Sequence, residues 1–211
     1  MRQLRRKTQI RKFLAEHPMP ERRLAVWMQD WEDAYNVGGM FRVADAVGAH
    51  ELVASGKTPV PPNPMVGVTS MGAHRRVPIR QFERHDAAAE YLVGAGYTLI
   101  AVEIAADAEP YHRFEYPERV CLVLGNEGAG VYDHVLRRCA GSVFVPMAGK
   151  GRSINVHVAA AVVAFQARLS PLPTSEPGSA RDRGAAGNAD REGQESPKMG
   201  HKAGDGTDYP H

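Results

Sequence analysis

Cysteine is scarce in this sequence. Its two cysteines, Cys121 and Cys139, form no Cys-x-x-Cys pair and are too few for a disulfide scaffold, so the expected setting is the reducing cytoplasm. The nine histidines are scattered. None pairs at i, i+4 with a helpful carboxylate, and no metal is expected. The start, Met1-Arg-Gln-Leu-Arg-Arg-Lys7, is basic but has no long apolar run behind it. That argues against a signal peptide and against a membrane anchor. No repeat at a solenoid period is present.

The formal net charge of +2 permits an anionic partner without demanding one. Residues 1–20 read as a solvated basic arm, with a supporting role on phosphate as the functional alternative. Composition changes after Leu169. Residues 170–211 are rich in Gly, Ser, Pro, Ala, Asp and Arg with almost no aliphatic side chains, too little apolar surface to offset the entropy of ordering. A disordered tail is expected there, leaving residues 21–169 as one domain of ordinary size.

Within that domain strands and helices alternate. Strands are expected at Leu24–Trp27, Glu51–Ala54, Tyr97–Ile104, Val120–Leu124 and Ser142–Val145. Helices are expected at Val37–Val47, Ala87–Val93, Val131–Arg138 and Ser153–Arg168, the last with Ser153 as a plausible N-cap. A proline-rich loop runs through Pro59, Pro61, Pro62 and Pro64. Continuous apolar strands are those buried on both faces, so the reading is an α/β fold with a mostly parallel sheet. Cys121 lies inside one such strand, as a buried thiol.

Three segments carry polar residues where plain packing does not put them. In Asn36-Val-Gly-Gly-Met-Phe-Arg42, two glycines weaken a helix start by roughly 1 kcal/mol each and permit close approach by a ligand. Asn36 has a capping role open to it, and Arg42 suits bidentate contact with phosphate or carboxylate. Leu124-Gly-Asn-Glu-Gly-Ala-Gly130 ends a buried strand, the edge at which parallel sheets bind ligands. It has neither the Gly-Lys-Ser/Thr of a phosphate-binding loop nor dinucleotide glycine spacing, which places a nucleotide-dependent oxidoreductase last. Val145-Pro-Met-Ala-Gly-Lys-Gly-Arg-Ser-Ile-Asn155 joins a strand to the final helix. It forms either a pocket wall or a simple capped connection.

In this order the three segments resemble the motifs of the SpoU/TrmH family within the SPOUT class of methyltransferases. Asn-x-Gly-x-x-x-Arg is matched by Asn36, Gly38 and Arg42. Gly-x-Glu-Gly-x-Gly is matched by Gly125, Glu127, Gly128 and Gly130. Val-Pro-Met and, after a gap, Ser-x-Asn-Val are matched by Val145, Pro146, Met147, Ser153, Asn155 and Val156, with Ile154 in place of the usual leucine. The resemblance spans about residues 22–168 and implies several things at once. The fold would be a parallel α/β sheet with a C-terminal trefoil knot, and the cofactor S-adenosylmethionine, held by Leu124, Gly125, Val145, Met147 and Ile154 with Glu103 a further candidate. The assembly would be a homodimer in which the first motif of one subunit completes the other's site.

The implied reaction is methylation of a ribose 2′-hydroxyl of tRNA or rRNA. Arg42 is assigned to the hydroxyl, as base or orienting group, and Asn36, Glu127, Ser153 and Asn155 position it, the ribose and the loops. An arginine pKa above ~12 makes proton acceptance demanding. The alternatives are an RNA-binding SPOUT protein without catalysis and a base-methylating SPOUT enzyme. Choice of RNA target is expected to rest on the core surface, the basic arm and the tail.

Overall fold

Strand β1 (Arg23–Gln29) is buried at every position after Arg23, because its residues feed two different cores. Leu24, Val26 and Met28 point into one layer, Ala25 and Trp27 into the other. Strands β2 (Glu51–Ser55) and β6 (Arg119–Leu124) flank it and are buried almost throughout. Such double-sided burial is what a parallel sheet covered by helices on both faces requires. The computed structural model describes residues 3–151 and 153–173. The tail expected for residues 170–211 therefore falls, from residue 174 on, outside the described residues.

Among the described residues seven strands form one sheet. Besides the three above they are β3 (Ile79–Phe82), β4 (Thr98–Val102), β5 (Glu109–Pro110) and β7 (Gly141–Phe144), in the order β3-β2-β1-β6-β4-β7-β5, with every pairing parallel. Helices α2 (Ala34–Val47), α3 (Pro64–Ser70) and α6 (Val156–Leu169) contribute to the core on one face. Helices α4 (His85–Gly94) and α5 (Asp133–Leu136) contribute to the core on the other. Helix α1 (Lys7–Ala15) buries none of its residues.

The helix ends differ from expectation in ways that matter later. Asp33, not Asn36, caps α2, accepting from the Tyr35 N–H at 2.8 Å. Gly48 ends that helix in the left-handed region at φ 63°, where glycine carries no Cβ penalty. Asn155, not Ser153, caps α6, accepting from the His157 N–H at 3.1 Å. The capping role thus falls on an asparagine of the third motif. Helix α6 packs closely on α2 and the sheet through Ala160, Val163, Ala164 and Ala167, all buried, because small side chains allow the backbones to approach.

The far end of α6 is held by an arginine that has no carboxylate partner among the described residues. Arg22, 4% exposed, donates from Nη1 to the carbonyls of Tyr116 and Pro117. From Nη2 it donates to those of Ser170 at 3.0 Å and Pro171 at 2.8 Å. Arg168 in turn donates to the Arg22 carbonyl. Burial, and then the charge of Arg168, lower the Arg22 pKa. The guanidinium closes the loop before β6 onto the segment after α6. Replacing Arg22 with Met fills the volume but leaves those carbonyls unpaired. Urea unfolding should show a loss of roughly 2–3 kcal/mol; a change below about 0.5 kcal/mol would mean that water replaces the guanidinium.

Candidate active site

Strands β4, β6 and β7 are neighbours, and their carboxyl ends deliver three loops to one edge of the sheet. Between these loops lies a cleft of about 730 Å³, ample for a cofactor-sized ligand. Glu103, Leu124, Gly125, Val145, Met147 and Ile154 all line it. So do Asn36, Glu127, Ser153 and Asn155. Arg42 does not: it is exposed on α2, outside the cleft of its own chain.

The glycine loop after β6 owes its shape to close backbone approach. A Cβ on Gly125 would stand 2.0 Å from the Gly130 carbonyl carbon and oxygen, so only glycine lets the loop fold back on itself. Asn126 and Gly130 close it with N–H···O bonds of 3.1 and 2.8 Å. The Asn126 side chain braces it from within, its Oδ1 accepting from Gly128 N at 2.8 Å and Ala129 N at 3.0 Å. Its Nδ2 donates to the Asp30 carbonyl at 2.8 Å and to Glu32 Oε1 at 3.2 Å. Glu103 holds the loop's far end: its Oε2 accepts from Val131 N at 3.0 Å and its Oε1 from Ile104 N at 2.9 Å. Both carboxylate oxygens are thus engaged with backbone, which makes Glu103 a brace for the wall.

Asn36 ties the three segments together. It is buried in the first turn of α2. Its Nδ2 donates to Glu127 Oε1 at 3.0 Å, and its Oδ1 accepts from Asn155 Nδ2 at 2.8 Å and pairs with His157 Nδ1 at 3.1 Å. Glu127 also accepts from Glu32 N at 3.4 Å. Each polar atom of the buried amide is matched, which removes the penalty of burying it.

Gly38 and Gly39 serve packing. A Cβ on Gly38 would meet Thr69 Oγ1 of α3 at 1.7 Å, and one on Gly39 would meet the His157 ring at 2.9 Å. The glycines therefore let α3 and α6 close onto α2, where the sequence had offered them to a ligand. His157 was missed by the sequence reading, although it directly follows the third motif. Its pKa is lowered by burial and by the nearby Arg42 cation, against an opposing pull from Asp33.

A second polar cluster lies outside the cleft lining and touches the glycine loop through the Asp30 carbonyl. Ser55 Oγ pairs with His85 Nδ1 at 2.8 Å, and His85 Nε2 with Asp30 Oδ2 at 3.0 Å. This has the residue types of a hydrolytic triad, but Ser55 is 0% exposed and its hydroxyl takes the Trp27 indole N–H at 2.8 Å. No substrate reaches that oxygen. The array instead fixes Asp30, which sits at φ 51°. Burial raises the Asp30 pKa, but hydrogen bonds from Lys57 N, Tyr132 and His85 outweigh it and leave the net shift downward. Among the described residues no group of three or more His, Cys, Asp or Glu side chains is placed to hold a metal ion.

A parallel sheet between helical layers, with glycine-bearing loops enclosing a cleft at its carboxyl edge, defines a ligand-binding α/β protein. The chain belongs to the SpoU rRNA Methylase family, whose model matches residues 23–165. It is 30% identical over 171 residues to a tRNA (guanosine(18)-2'-O)-methyltransferase of Thermus thermophilus, covering 80% of this chain and 87% of that protein. It is 33% identical over 135 residues to a 23S rRNA (guanosine-2'-O-)-methyltransferase of Ralstonia nicotianae, covering 64% and 54%. Its fold is similar to that of an AdoMet-bound rRNA methyltransferase from Sinorhizobium meliloti. There the TM-score is 0.66 and the identity 27%, over 72% of this chain and 58% of that one. The chain thus spans a little over half the length of the last two.

The lowered pKa of His157 has a measurable consequence. The folded chain binds that proton less tightly than the unfolded chain does. The stability involved is present above about pH 6.5 and is lost as the pH falls through the lowered folded value. NMR titration of the imidazole should give a midpoint below 6.5; a midpoint at or above it would contradict the geometry.

Proposed function

We propose that this chain is an S-adenosylmethionine-dependent RNA methyltransferase acting on a ribose 2′-hydroxyl of transfer or ribosomal RNA. The observation that carries this reading is the convergence of three distant segments on one cleft, joined through the Asn36 amide. The residues fit the donor. Leu124, Val145 and Ile154 give apolar walls suited to an adenine ring, and the glycine loop offers backbone groups. The carboxylates of Glu127 and Asp133 complement a sulfonium cation. When bound, S-adenosylmethionine supplies a methyl group already activated for transfer.

The chain's own task is then alignment and proton removal. Glu127, Asn36 and Asn155 hold the two loops against each other, and Ser153 lies on the cleft wall beside them. Arg42 is the group for the sugar and its phosphate, since a guanidinium offers fixed paired donors. It is exposed and does not line its own chain's cleft. A second copy resolves this. Tyr35, Gly39 and Arg42 share one side of α2 by helical spacing, and Val158, Phe165 and Leu169 share one exposed side of α6. We therefore propose a homodimer through this partly apolar face, each protomer presenting Arg42 to its partner's cleft.

The family reading extends to a knotted C-terminal half and a cytoplasmic setting. Return of the chain after β7 to pack α6 on α2 and β6 is consistent with the knot. No described helix is long and apolar enough to cross a membrane. RNA as partner is supported by α1, which is exposed and carries Lys7, Arg11 and Lys12 with no acid. Such a helix suits a phosphate backbone.

Arg42→Ala should lower methyl transfer to RNA by roughly a hundredfold or more while the donor's Kd, by calorimetry, stays within about twofold. Retained turnover would overturn the role of Arg42, and absence of donor binding by the wild-type chain would overturn the function.

A further inference from the structure

Methyl transfer to a hydroxyl requires that its proton go somewhere, and a guanidinium with a pKa above ~12 is almost never neutral at pH 7. His157 supplies what Arg42 lacks. Asn36 Oδ1 can only accept, so the His157 Nδ1 that pairs with it at 3.1 Å carries the ring's proton. The tautomer is thereby fixed, leaving the lone pair on Nε2. That nitrogen makes no hydrogen bond among the described residues. The Cδ2–Nε2 edge of the ring rests against Gly39, where a Cβ would stand 2.9 Å from Cδ2 and 3.0 Å from Nε2, so only glycine leaves space beside that nitrogen. Arg42 lies three residues further along α2, on the same side by helical spacing.

We propose that His157 accepts the 2′-hydroxyl proton on Nε2, beside Arg42 of the same protomer, at the partner's cleft; this rests on the methyltransferase reading above. As the ribose oxygen bonds to the methyl carbon, the carbon–sulfur bond breaks and its electron pair stays on sulfur. The sulfonium becomes a neutral thioether. The hydroxyl proton moves to Nε2, and the imidazolium returns it to solvent. Arg42 keeps its charge throughout and orients the sugar and its phosphate.

The surroundings suit a base that is neutral at physiological pH. Burial and the Arg42 charge hold the imidazole's pKa down, and Asp33 opposes them. The charged groups facing it are Arg42 and Asp33 from α2, with Glu127 one hydrogen bond further away through Asn36. Because Nδ1 is anchored, the ring cannot turn without breaking a bond to a buried amide, so Nε2 keeps its direction.

His157→Asn separates the two roles, since an asparagine amide places a donor near the position of Nδ1 but nothing at Nε2. Single-turnover rates would be measured against pH with methyl-labelled S-adenosylmethionine and RNA in excess. Wild type should lose about one log unit of rate per pH unit below a midpoint under 6.5. His157→Asn should lack that limb and turn over roughly a hundredfold or more slowly, with the donor's Kd within about twofold. A variant that keeps the wild-type rate or the acid limb overturns the proposal and leaves the methyltransferase reading intact. A variant that also loses donor binding overturns it too, as His157 would then be structural. If wild type moves no methyl group to RNA, the earlier reading itself fails.

Discussion

One side-chain amide, that of Asn36, joins the parts of this protein that matter. It sits inside the first turn of α2 and reaches the glycine loop through Glu127 and the start of α6 through Asn155 and His157. Those partners lie 91 and 119 to 121 residues away in sequence. A buried amide is costly unless each donor and acceptor is matched. Here the match can be made only when all three segments are in place, so the cleft and the local fold are stabilised by the same contacts.

Two glycine pairs show how differently one residue type is used. Gly125 and Gly130 let a loop close on itself: a Cβ on Gly125 would meet the Gly130 backbone, and one on Gly130, which sits at φ 69°, would meet the Glu103 carboxylate. Gly38 and Gly39 let neighbouring helices close on α2. Only the first pair borders the cleft. In the second pair, the space at Gly39 is taken by the His157 ring, which is how an imidazole comes to lie beside Arg42. The first motif is therefore partly a packing motif, and its chemistry depends on what packs against it.

Much of this was legible in the sequence, for physical reasons that can be named. Unbroken apolar runs at Leu24–Trp27 and Val120–Leu124 indicate strands covered on both faces, and both lie at the centre of the sheet. The motif residues of the second and third segments line the cleft because they follow strand ends. Elements that escaped are those with weak or misleading patterns. Helix α3 begins at Pro64 after a proline run that reads as loop; Asn63 caps it, and proline at a first helical position is compatible with a helix start. Strand β3 is only partly buried and β5 has two residues, so neither shows a period. Ser153 and Asn155 are both good capping residues, so the local pattern left the cap of α6 open between them. The placement of the His157 ring depends on contacts with Asn36 and Gly39 of α2 that no local pattern encodes. Arg42 was legible as a chemical group, and the family resemblance already implied that its segment serves a partner's site. What the sequence did not show is that it is exposed on α2 and does not line its own chain's cleft.

The most direct test is the chemical position of the transferred methyl group. The purified chain would be incubated with total RNA and methyl-labelled S-adenosylmethionine, and the RNA then hydrolysed with alkali. A 2′-O-methyl group blocks attack by the neighbouring oxygen, so the account predicts label in alkali-resistant dinucleotides. Label recovered only in mononucleotides, or none at all, would contradict it.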